Sequence, residues 1–390
     1  MQNIYYFNPQ NDLALATGGI NYVAPPFAVQ MAHDLAVIPA FIAPPGSLLI
    51  TDRDIDSEWL EYLNSTFSLD VHAIKRAELR HLTDYRIMPW GWCLDLHRRL
   101  IKWGASSSCL PSKDAIYHLR GLSHRRVSII MHLRLQELLE ETLCPIPIEL
   151  ATTDDAMAFA GQHRNCFIKT PWSSSGRGIF HATNGPSREL AQWVNGAMKR
   201  QGSVMCEVAL DKAMDFAVEF RCHDGKTSPQ GFSIFNTDSH SQYSYGTVAQ
   251  TRILKEKITN LYPEIDKVVD AVTQALDELV APHYNGWLGV DMILFKVSSQ
   301  SPSRPQKMGI NPCIELNLRP TMGAITSVIG EKLLFPGKTA TFRIEQRSGA
   351  EPWQQKKKPV IKDHRLMSGT MCLTTPSDTA LYRATLSVDE

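Results

Sequence analysis

The chain has 390 residues, of which 40 are basic and 40 acidic, so its formal net charge at pH 7 is zero. This length exceeds one ordinary domain and predicts about two or three packed units. The neutral balance argues against a protein that binds nucleic acid or a membrane surface, because both of these partners require a standing positive field.

The eight cysteines are scattered and form no C-x-x-C pair, which indicates reduced and mostly buried thiols. The first residues, "MQNIYYFNPQ", lack the charged and apolar regions of a signal peptide. No apolar run reaches the ~18 residues expected of a membrane span. From these features we expect a cytoplasmic location.

Residues 1–111 read as alternating strands and helices. "NIYYFNPQNDLALA" starts with a β-rich run, continues through a Pro/Asn/Asp loop and enters a helix that Asn11 or Asp12 could cap. Further strand-like units are "AVIPAFIAPP", "SLLIT", "FSLDVHAI" and "YRIMPWGW", with helix-like stretches at 57–65 and 93–103. The alternation predicts an α/β domain with a parallel sheet, whose ligands bind in the loops after the strands.

Residues 112–208 start with a helical pattern from Asp114 to Glu141, which the two prolines of "CPIPIEL" end. A strand-rich set follows, made of "CFIKT", "GIFHAT", a helix near 186–200 and "SVMCEVAL". This change of pattern predicts a boundary between the first domain and a second unit.

Residues 209–335 combine strand-like runs, such as "DFAVEFRCH" and "GFSIFN", with one strongly amphipathic helix between 262 and 281. The helix is predicted by apolar residues at helical spacing, namely Ile265, Val268, Val269, Val272, Leu276 and Leu279. Residues 336–390 predict a C-terminal extension with two strand-like runs, "LMSGTMCLTT" and "TALYRATLSV". Its basic stretch "QQKKKP" is typical of a solvated loop.

Polar side chains alternate with apolar ones in "CIELNLRP". A strand here would bury Ile314, Leu316 and Leu318 and present the others on one face, namely Glu315, Asn317 and Arg319. For any one of these three residues alone, an ordinary solvated strand face is the better interpretation.

The preceding strand-like run, "GVDMILF", carries a single acid, Asp291, between apolar neighbours. If the two runs form an antiparallel ribbon, the midpoint between Asp291 and Glu315 is Ser303, which lies in the polar linker that joins them. The two acids then lie opposite each other, with Cβ atoms ~5 Å apart. Such a pair raises one pKa unless a cation lies between, and Mg²⁺ is the natural occupant.

A lysine precedes a short Ser/Gly run in "FIKTPWSSSGRGIF". In a Walker-type loop the lysine directly follows the last glycine, so Lys169 is on the wrong side for that motif. The run by itself is equally typical of a hairpin turn.

Taken together, Lys169 with its Ser/Gly loop, Asp291 and the E-x-N-x-R-P segment resemble the ATP-grasp superfamily. Its members include D-alanine:D-alanine ligase, glutathione synthetase and carbamoyl phosphate synthetase. The resemblance extends by motif order over residues 112–330. It implies an N-terminal α/β pre-ATP-grasp domain over residues 1–111, a small lobe over 112–208, a large lobe with the metal site over 209–335 and an extension over 336–390.

The resemblance also implies roles for individual residues. Lys169 would reach the phosphate and adenine edge of ATP, under a loop made of Ser173, Ser174, Ser175, Gly176 and Gly178. Glu207 and Leu210 would contact adenine, and Asp215 would hold the ribose, unless it is an ordinary loop aspartate. The Mg²⁺ ligands, which could also hold Mn²⁺, would be Asp291, Glu315 and Asn317.

Three arginines complete this set. Arg319 resembles the arginine near the transferred phosphate. Arg252 could hold substrate or phosphate, or form a surface salt bridge instead, and Arg221 is a weaker candidate for the same role. Arg126, with Arg125 beside it, stands where many members carry a second phosphate-binding lysine.

The activity implied is ATP-dependent activation of a small-molecule or peptide carboxylate as an acyl phosphate, which an amine or similar nucleophile attacks, releasing ADP and phosphate. Two alternatives remain open. The same fold could phosphorylate a small acceptor as a kinase, or it could serve as a nucleotide-binding regulatory module without turnover.

Overall fold

The computed structural model describes residues 1–53, 55–173, 176, 178–238, 243–297, 307–347, 353, 357–377 and 379–388. An N-terminal parallel sheet flanked by helices is followed by antiparallel sheets, as predicted for the fold class. The linker residue Ser303 lies outside the described residues.

The N-terminal region contains, in chain order, β1 (Gln2–Tyr6), α1 (Asn11–Thr17), α2 (Pro26–Asp34), β2 (Ser47–Thr51), α3 (Ser57–Phe67), β3 (Val71–Lys75), β4 (Tyr85–Pro89) and α4 (Leu94–Lys102). The strand order is β3-β2-β1-β4, and all three pairs are parallel. The chain therefore moves outward from β1 to β3 and returns to the other side of β1. The crevice between β1 and β4 is the point at which such sheets bind ligands.

Two local predictions in this region are wrong. Helix α1 is not capped by Asn11 or Asp12, since Gln10 occupies its N-cap position without a side-chain hydrogen bond. The run "AVIPAFIAPP" forms a short 3₁₀ helix, Ile38–Phe41, instead of a strand. Its proline Pro39 has no backbone N–H with which to extend a sheet.

The helical stretch predicted from Asp114 to Glu141 is two helices, α5 (Lys113–Leu122) and α6 (Arg126–Leu139). The Ser123 hydroxyl donates to the Leu119 carbonyl oxygen at 2.9 Å, and the Arg126 backbone N–H donates to His124 Nδ1 at 2.9 Å. These local side-chain bonds interrupt the helix. The break turns Arg125 into the protein, where it is 7% exposed.

The second sheet follows in chain order as β5 (Ile148–Leu150), α7 (Thr153–Gln162), β6 (Cys166–Lys169), β7 (Ile179–Ala182), α8 (Arg188–Gln201) and β8 (Val204–Val208). Its strand order is β5-β8-β6-β7, and all pairs are antiparallel. Both helices have a side-chain N-cap, from Thr152 and Ser187. We call this unit the small sheet.

The remaining elements are β9 (Lys212–His223), β10 (Lys226–Thr237), β11 (Tyr243–Val248), α9 (Thr251–Leu261), α10 (Ile265–Leu279), β12 (Gly286–Lys296), β13 (Met308–Asn317), α11 (Met322–Lys332), β14 (Ala340–Gln346), β15 (Val360–Lys362), β16 (Arg365–Ser368), β17 (Thr370–Cys372) and β18 (Tyr382–Val388). Eight of the strands form one sheet in the order β13-β12-β9-β10-β11-β14-β18-β17. We call this unit the large sheet.

Helix α10 begins at Ile265, three residues later than the start of the predicted range. Five residues of its predicted apolar stripe are buried, and Leu279 is half-buried. The stripe packs into one core with α6 and one face of β9 and β12. Although α6 precedes the small sheet in the chain, its apolar residues therefore belong to the core of the large sheet.

Strands from the last part of the chain complete the large sheet. β14 pairs with β11, and β18 pairs with β14. The carboxylate of Asp34 in α2 accepts hydrogen bonds from the backbone N–H groups of Leu381 and Tyr382, at 2.8 and 3.0 Å. The division predicted at residue 335 thus passes through a continuous sheet.

Within the described ranges, none of the helices has the length and apolar character that a membrane crossing requires.

Helix α11 packs closely on the chain that follows β11, and Gly330 makes this possible. A Cβ at Gly330 would lie 2.2 Å from the Ala249 carbonyl oxygen. We expect Gly330→Ala to lower the free energy of unfolding by about 1–3 kcal/mol, because the clash outweighs the better helix propensity of alanine. Urea unfolding measures this change through the transition midpoint.

The matched control is Gly121→Ala in α5, where a Cβ would meet no atom within 4 Å. This variant should be unchanged or more stable by up to about 1 kcal/mol. Equal stability of Gly330→Ala and the wild type would contradict the close contact.

Candidate nucleotide and metal site

Two acids lie opposite each other on neighbouring strands of the large sheet. β12 and β13 are antiparallel, with Asp291 opposite Glu315 and Gly289 opposite Asn317. This is the register predicted from the linker midpoint. The Asn317 amide Nδ2 donates to Asp291 Oδ2 at 3.2 Å and orients that carboxylate.

The pKa of Asp291 is raised to about 8, chiefly because the carboxyl group is buried. The charges of Glu315 and Glu219 raise it further, whereas Arg319 and the Asn317 hydrogen bond act in the opposite direction. Asp291 is half-buried, and beside a second acid its anion is disfavoured unless a cation lies close by. The pair therefore has the electrostatic character of a cation site.

The donor set suits Mg²⁺, which prefers carboxylate and amide oxygens. Within the described residues, no three His, Cys, Asp or Glu side chains are grouped to hold a metal ion. The predicted ligands are instead two carboxylates and one amide, a set that Mg²⁺ completes with water and phosphate oxygens. Asp291, Glu315 and Asn317 thus stay the predicted ligands.

We call β13, which carries Glu315 and Asn317, the metal strand. Arg125 connects it to the loop after β6. Its Nη2 donates to both carboxylate oxygens of Glu315, at 3.0 and 3.1 Å. Its Nη1 donates to the Thr170 carbonyl oxygen at 2.7 Å and to Ser173 Oγ at 2.8 Å. One buried guanidinium thus holds the large sheet and the Ser/Gly loop together.

Lys169 is the last residue of β6 and is 6% exposed. Its ammonium group forms an ion pair with Glu207 of the neighbouring strand β8. The two residues predicted to contact adenine and phosphate are therefore together in the small sheet.

The Ser/Gly loop starts directly after this pair. The Thr170 backbone N–H donates to the Gly178 carbonyl oxygen at 2.8 Å. Gly178 has a φ of +77°, and a Cβ there would lie 2.4 Å from Thr170 Oγ1, so glycine is required at the base of the loop. Ser173 and Gly176 are also described, whereas Ser174 and Ser175 lie outside the described residues.

The segment between β8 and β9 contains the other two residues predicted to contact the nucleoside. The Leu210 carbonyl oxygen accepts from the Lys212 backbone N–H at 2.8 Å and forms a tight turn. Asp215 Oδ2 accepts from Lys212 Nζ at 2.6 Å and from Thr237 Oγ1 at 3.2 Å. Asp215 is therefore held by two side chains.

Arg319 contacts the N-terminal domain. Its guanidinium donates to both carboxylate oxygens of Asp12, from Nε at 3.1 and 3.0 Å and from Nη2 at 2.7 Å. Asp12 lies in α1, which directly follows β1, at the crevice between β1 and β4. A cleft lined by both of these residues, Glu315, Asn317 and Ser173 connects this crevice with the metal strand.

The structure does not bring Arg126 and Arg252 into this group. The exposed Arg126 guanidinium donates to Glu149 Oε1 at 2.7 Å. Arg252 is exposed at the start of α9, where its guanidinium reaches Gln250 Oε1 at 3.5 Å. Their predicted roles in phosphate or substrate binding stay predictions.

Glu219 was not predicted as a site residue. Glu219 is fully buried on β9, where it accepts from Thr321 Oγ1 at 2.8 Å and from Ser233 Oγ at 3.1 Å. Burial raises the pKa of Glu219 to about 7. An acid between two apolar neighbours, Val218 and Phe220, was the available signal, as it was for Asp291. For Asp12 the sequence indicated a helix cap, or a first loop that could bind the acceptor substrate.

The raised pKa of Asp291 predicts a pH-dependent stability in the absence of metal. A folded-state pKa of about 8, against 3.8 for the unperturbed group, means that the folded chain keeps the proton longer than the unfolded chain. The free energy of unfolding should therefore fall as pH rises through this window. Urea unfolding in EDTA at about pH 6 and about pH 8 measures the change.

Asp291→Asn should reduce this slope, and Glu219 should supply what remains because its shift has the same sign. Glu61→Gln, on the exposed face of α3, is the matched control and should keep the wild-type slope. A slope unaffected by Asp291→Asn would contradict the raised pKa.

No protein-family model matches this sequence, and no curated protein is similar to it. The structure is similar to biotin carboxylase from Campylobacter jejuni in its beta-gamma-ATP complex, with a TM-score of 0.54 and 12% identity, over 100% of this chain and 87% of that chain. It is similar to phosphoribosylamine–glycine ligase from Thermotoga maritima, with a TM-score of 0.51 and 11% identity, over 99% of this chain and 92% of that chain.

A third similar structure is the biotin carboxylase domain of 2-oxoglutarate carboxylase from Hydrogenobacter thermophilus in complex with MgADP and bicarbonate. Its TM-score is 0.50 and its identity 10%, over 99% of this chain and 86% of that chain. At 10–12% identity, similarities of this kind establish the fold alone. The chain shares with these structures an N-terminal parallel α/β sheet followed by antiparallel-sheet lobes, which is the ATP-grasp fold.

Proposed function

We propose that the chain is an ATP- and Mg²⁺-dependent ligase. It would activate a carboxylate as an acyl phosphate and join it to an amine or similar nucleophile, with release of ADP and phosphate. The observation that carries the proposal is the pair Asp291 and Glu315, which Arg125 connects to the loop that follows Lys169.

The chemistry needs charge neutralisation and positioning more than a nucleophilic side chain. Mg²⁺ bound by Asp291, Glu315 and Asn317 would neutralise the phosphate oxygens of ATP. The carboxylate substrate attacks the γ-phosphorus, the bond to the β–γ bridging oxygen breaks, and ADP leaves. The amine then attacks the carbonyl carbon of the acyl phosphate, loses a proton and displaces phosphate.

We assign phosphate binding on the large-sheet side to Arg125 in preference to Arg126. Arg125 is buried between Glu315 and Ser173, and its Nε has no hydrogen-bond partner among the described residues. Arg126 is exposed and already paired with Glu149. A phosphate between loop and metal would accept a charged hydrogen bond from this Nε.

Lys169 has a buried ammonium group whose charge Glu207 balances. In the proposed complex Lys169 donates to the phosphates, and Glu207 and Leu210 contact adenine. Asp215 accepts from the ribose once it exchanges its bonds to Lys212 and Thr237. The MgADP bound in the Hydrogenobacter structure supports the choice of nucleotide and metal.

The carboxylate and amine would bind between the metal strand and the N-terminal domain. Asp12 fixes the guanidinium plane of Arg319 at this boundary, so Arg319 presents its charge to the transferred phosphate in one orientation. A closed Ser/Gly loop would keep water from the acyl phosphate. The name of the Thermotoga protein, a ligase, supports ligation over a simple kinase reaction.

The first test is a thermal unfolding scan with and without Mg²⁺ and a non-hydrolysable ATP analogue. Saturation at about 100 times Kd adds about 2.7 kcal/mol to the free energy of unfolding, so the midpoint should rise. Asp291→Asn should lose the Mg²⁺-dependent part of the rise, and Glu61→Gln should keep it. No rise with ATP, ADP or GTP analogues would refute nucleotide binding. If the midpoint rises, product analysis separates a ligase from a kinase.

The two arginines provide a second prediction. Arg125→Gln should weaken binding of the Mg²⁺–nucleotide complex by about tenfold or more, because a charged hydrogen-bond donor is lost from a buried position. Arg126→Gln should leave the affinity within about twofold, because exposed ion pairs such as Arg126–Glu149 contribute little. Titration of both variants with a fluorescent ATP analogue measures the affinities. Equal losses would reject the assignment to Arg125.

A further inference from the structure

An arginine without a counter-ion lies on the large sheet, away from the metal strand. Arg221, on β9, is half-buried and forms no ion pair with the described residues. Its guanidinium lies over the ring of Trp287, 5.4 Å from the ring centroid. A cation in this position is held by stacking and keeps its N–H groups available for an anion.

Two further donors at this place have no acceptor among the described residues. The Tyr5 hydroxyl of β1 lies beside the Arg221 guanidinium, and the positive charge of Arg221 and a hydrogen bond from it partly offset the rise that burial causes in the pKa of Tyr5. Neither the Tyr5 hydroxyl nor Trp287 Nε1 donates to an acceptor within the described ranges, although both atoms are buried. Buried donors are usually paired with protein, water or a ligand, so each of these two atoms has a hydrogen bond left to donate.

The three side chains come from two units of the protein. Tyr5 belongs to the N-terminal sheet, whereas Arg221 and Trp287 lie opposite each other on β9 and β12 of the large sheet. Tyr5 and Trp287 share one apolar cluster, to which Phe7, Trp90 and Ile325 also belong. The site is therefore at the junction of the two sheets, where a ligand would contact both.

The site faces the same side of the large sheet as the metal residues. Opposed residues on antiparallel strands share a face, and Trp287, Gly289 and Asp291 alternate along β12. Asp291 lies four residues after Trp287 on an extended strand, which corresponds to about 13 Å. The junction is thus a separate position and not a part of the metal centre.

The donor set suits a carboxylate better than a phosphate. Arg221 supplies a single positive charge, which matches the charge of one carboxylate. A phosphate dianion would keep one uncompensated negative charge at this half-buried position. The planar guanidinium also fits the two oxygens of a carboxylate. Tyr5 and Trp287 can each donate one further hydrogen bond.

We propose that Arg221, Tyr5 and Trp287 form a subsite for a substrate carboxylate other than the one that reacts. This inference rests on the proposed function, because it takes the ligand to be a substrate of the ligase. The substrate is then an acid of peptide length, with one carboxylate at the metal strand and another at the junction. A peptide C-terminus or a long dicarboxylate has this chemistry.

The test measures binding of glutarate to the nucleotide-free full chain, by thermal unfolding at graded concentrations and constant ionic strength. Arg221→Gln should raise the Kd by at least about tenfold. Tyr5→Phe and Trp287→Phe should each raise it by about threefold, since each removes a donor that has no acceptor in the described part of the protein. Tyr5→Phe should leave the stability nearly unchanged, whereas Trp287→Phe should lower it, because the smaller ring leaves space in the core and gives less support to Arg221.

Two controls belong to this experiment. Arg343→Gln removes an exposed arginine that lies over Tyr245 in the same sheet, 4.7 Å from the ring centroid, and should leave glutarate binding unchanged. Glutaramide, the neutral analogue, should not bind. Equal loss in Arg221→Gln and Arg343→Gln, no binding of glutarate to the wild type, or tighter binding of inorganic phosphate than of glutarate would each overturn the subsite.

A second readout separates this inference from the proposed function. With an acid that supports ADP release, Arg221→Gln should raise the KM of the acid at least about tenfold and change kcat little, because the contact is present before and during the reaction. An unchanged KM would overturn the subsite and leave the ligase proposal intact. Absence of ADP release with every acid would refute the ligase, while loss of glutarate binding in Arg221→Gln would still support the anion site.

Discussion

The close approach of Asp291 and Glu315 is the constraint on which the site depends. Two acids opposite each other on paired strands repel, and burial makes the repulsion stronger. The surrounding residues offset this repulsion: Asn317 donates to one acid, Arg125 grips the other, and Arg319 lies near enough to lower the pKa of Asp291. The polar residues of the cleft are thus arranged around one unfavourable pair.

The same residues hold the three units of the protein against one another. Arg125 extends from α6 to the large sheet and to the loop of the small sheet. Arg319 extends from the end of β13 to Asp12 in the N-terminal domain. A cation that binds Glu315 would release Arg125 from its carboxylate partner. Binding at Glu315 and the position of the Ser/Gly loop are therefore linked through the Arg125 guanidinium. The cleft is therefore closed by ionic contacts that a charged ligand can exchange.

Patterns within single segments predicted much of this structure. Alternation in "CIELNLRP" and the length of the linker predicted the opposed acids, because a strand has a period of two and a ribbon folds about its midpoint. The register shift between Asp291 and Ile293 could not be predicted in this way. Helical spacing sufficed for α10. The ATP-grasp resemblance added the fold, which the three-dimensional similarities support.

Contacts between distant parts of the chain could not be predicted in this way. Asp12 and Arg319 are 307 residues apart, and neither segment indicates the other. The burial of Arg125 depends on a break between two helices that side chains of Ser123 and His124 create, whereas helical periodicity favoured one continuous helix. Glu219 was read as part of an ordinary apolar strand because its partners, Thr321 and Ser233, come from two other elements.

The pairing of β11 with β14, and of β14 with β18, has a consequence for the order of folding during synthesis. The strands that carry Asp291 and Glu315 leave the ribosome before β18, which lies at the far end of the chain. The large sheet therefore has an open edge, first at β11 and then at β14, until β18 emerges, and an open edge is prone to pair with other chains. Pairing of β18 with β14, and docking of Leu381 and Tyr382 on Asp34, covers this edge. Protection of the edge thus depends on β18, although the residues proposed to bind the nucleotide lie well before it.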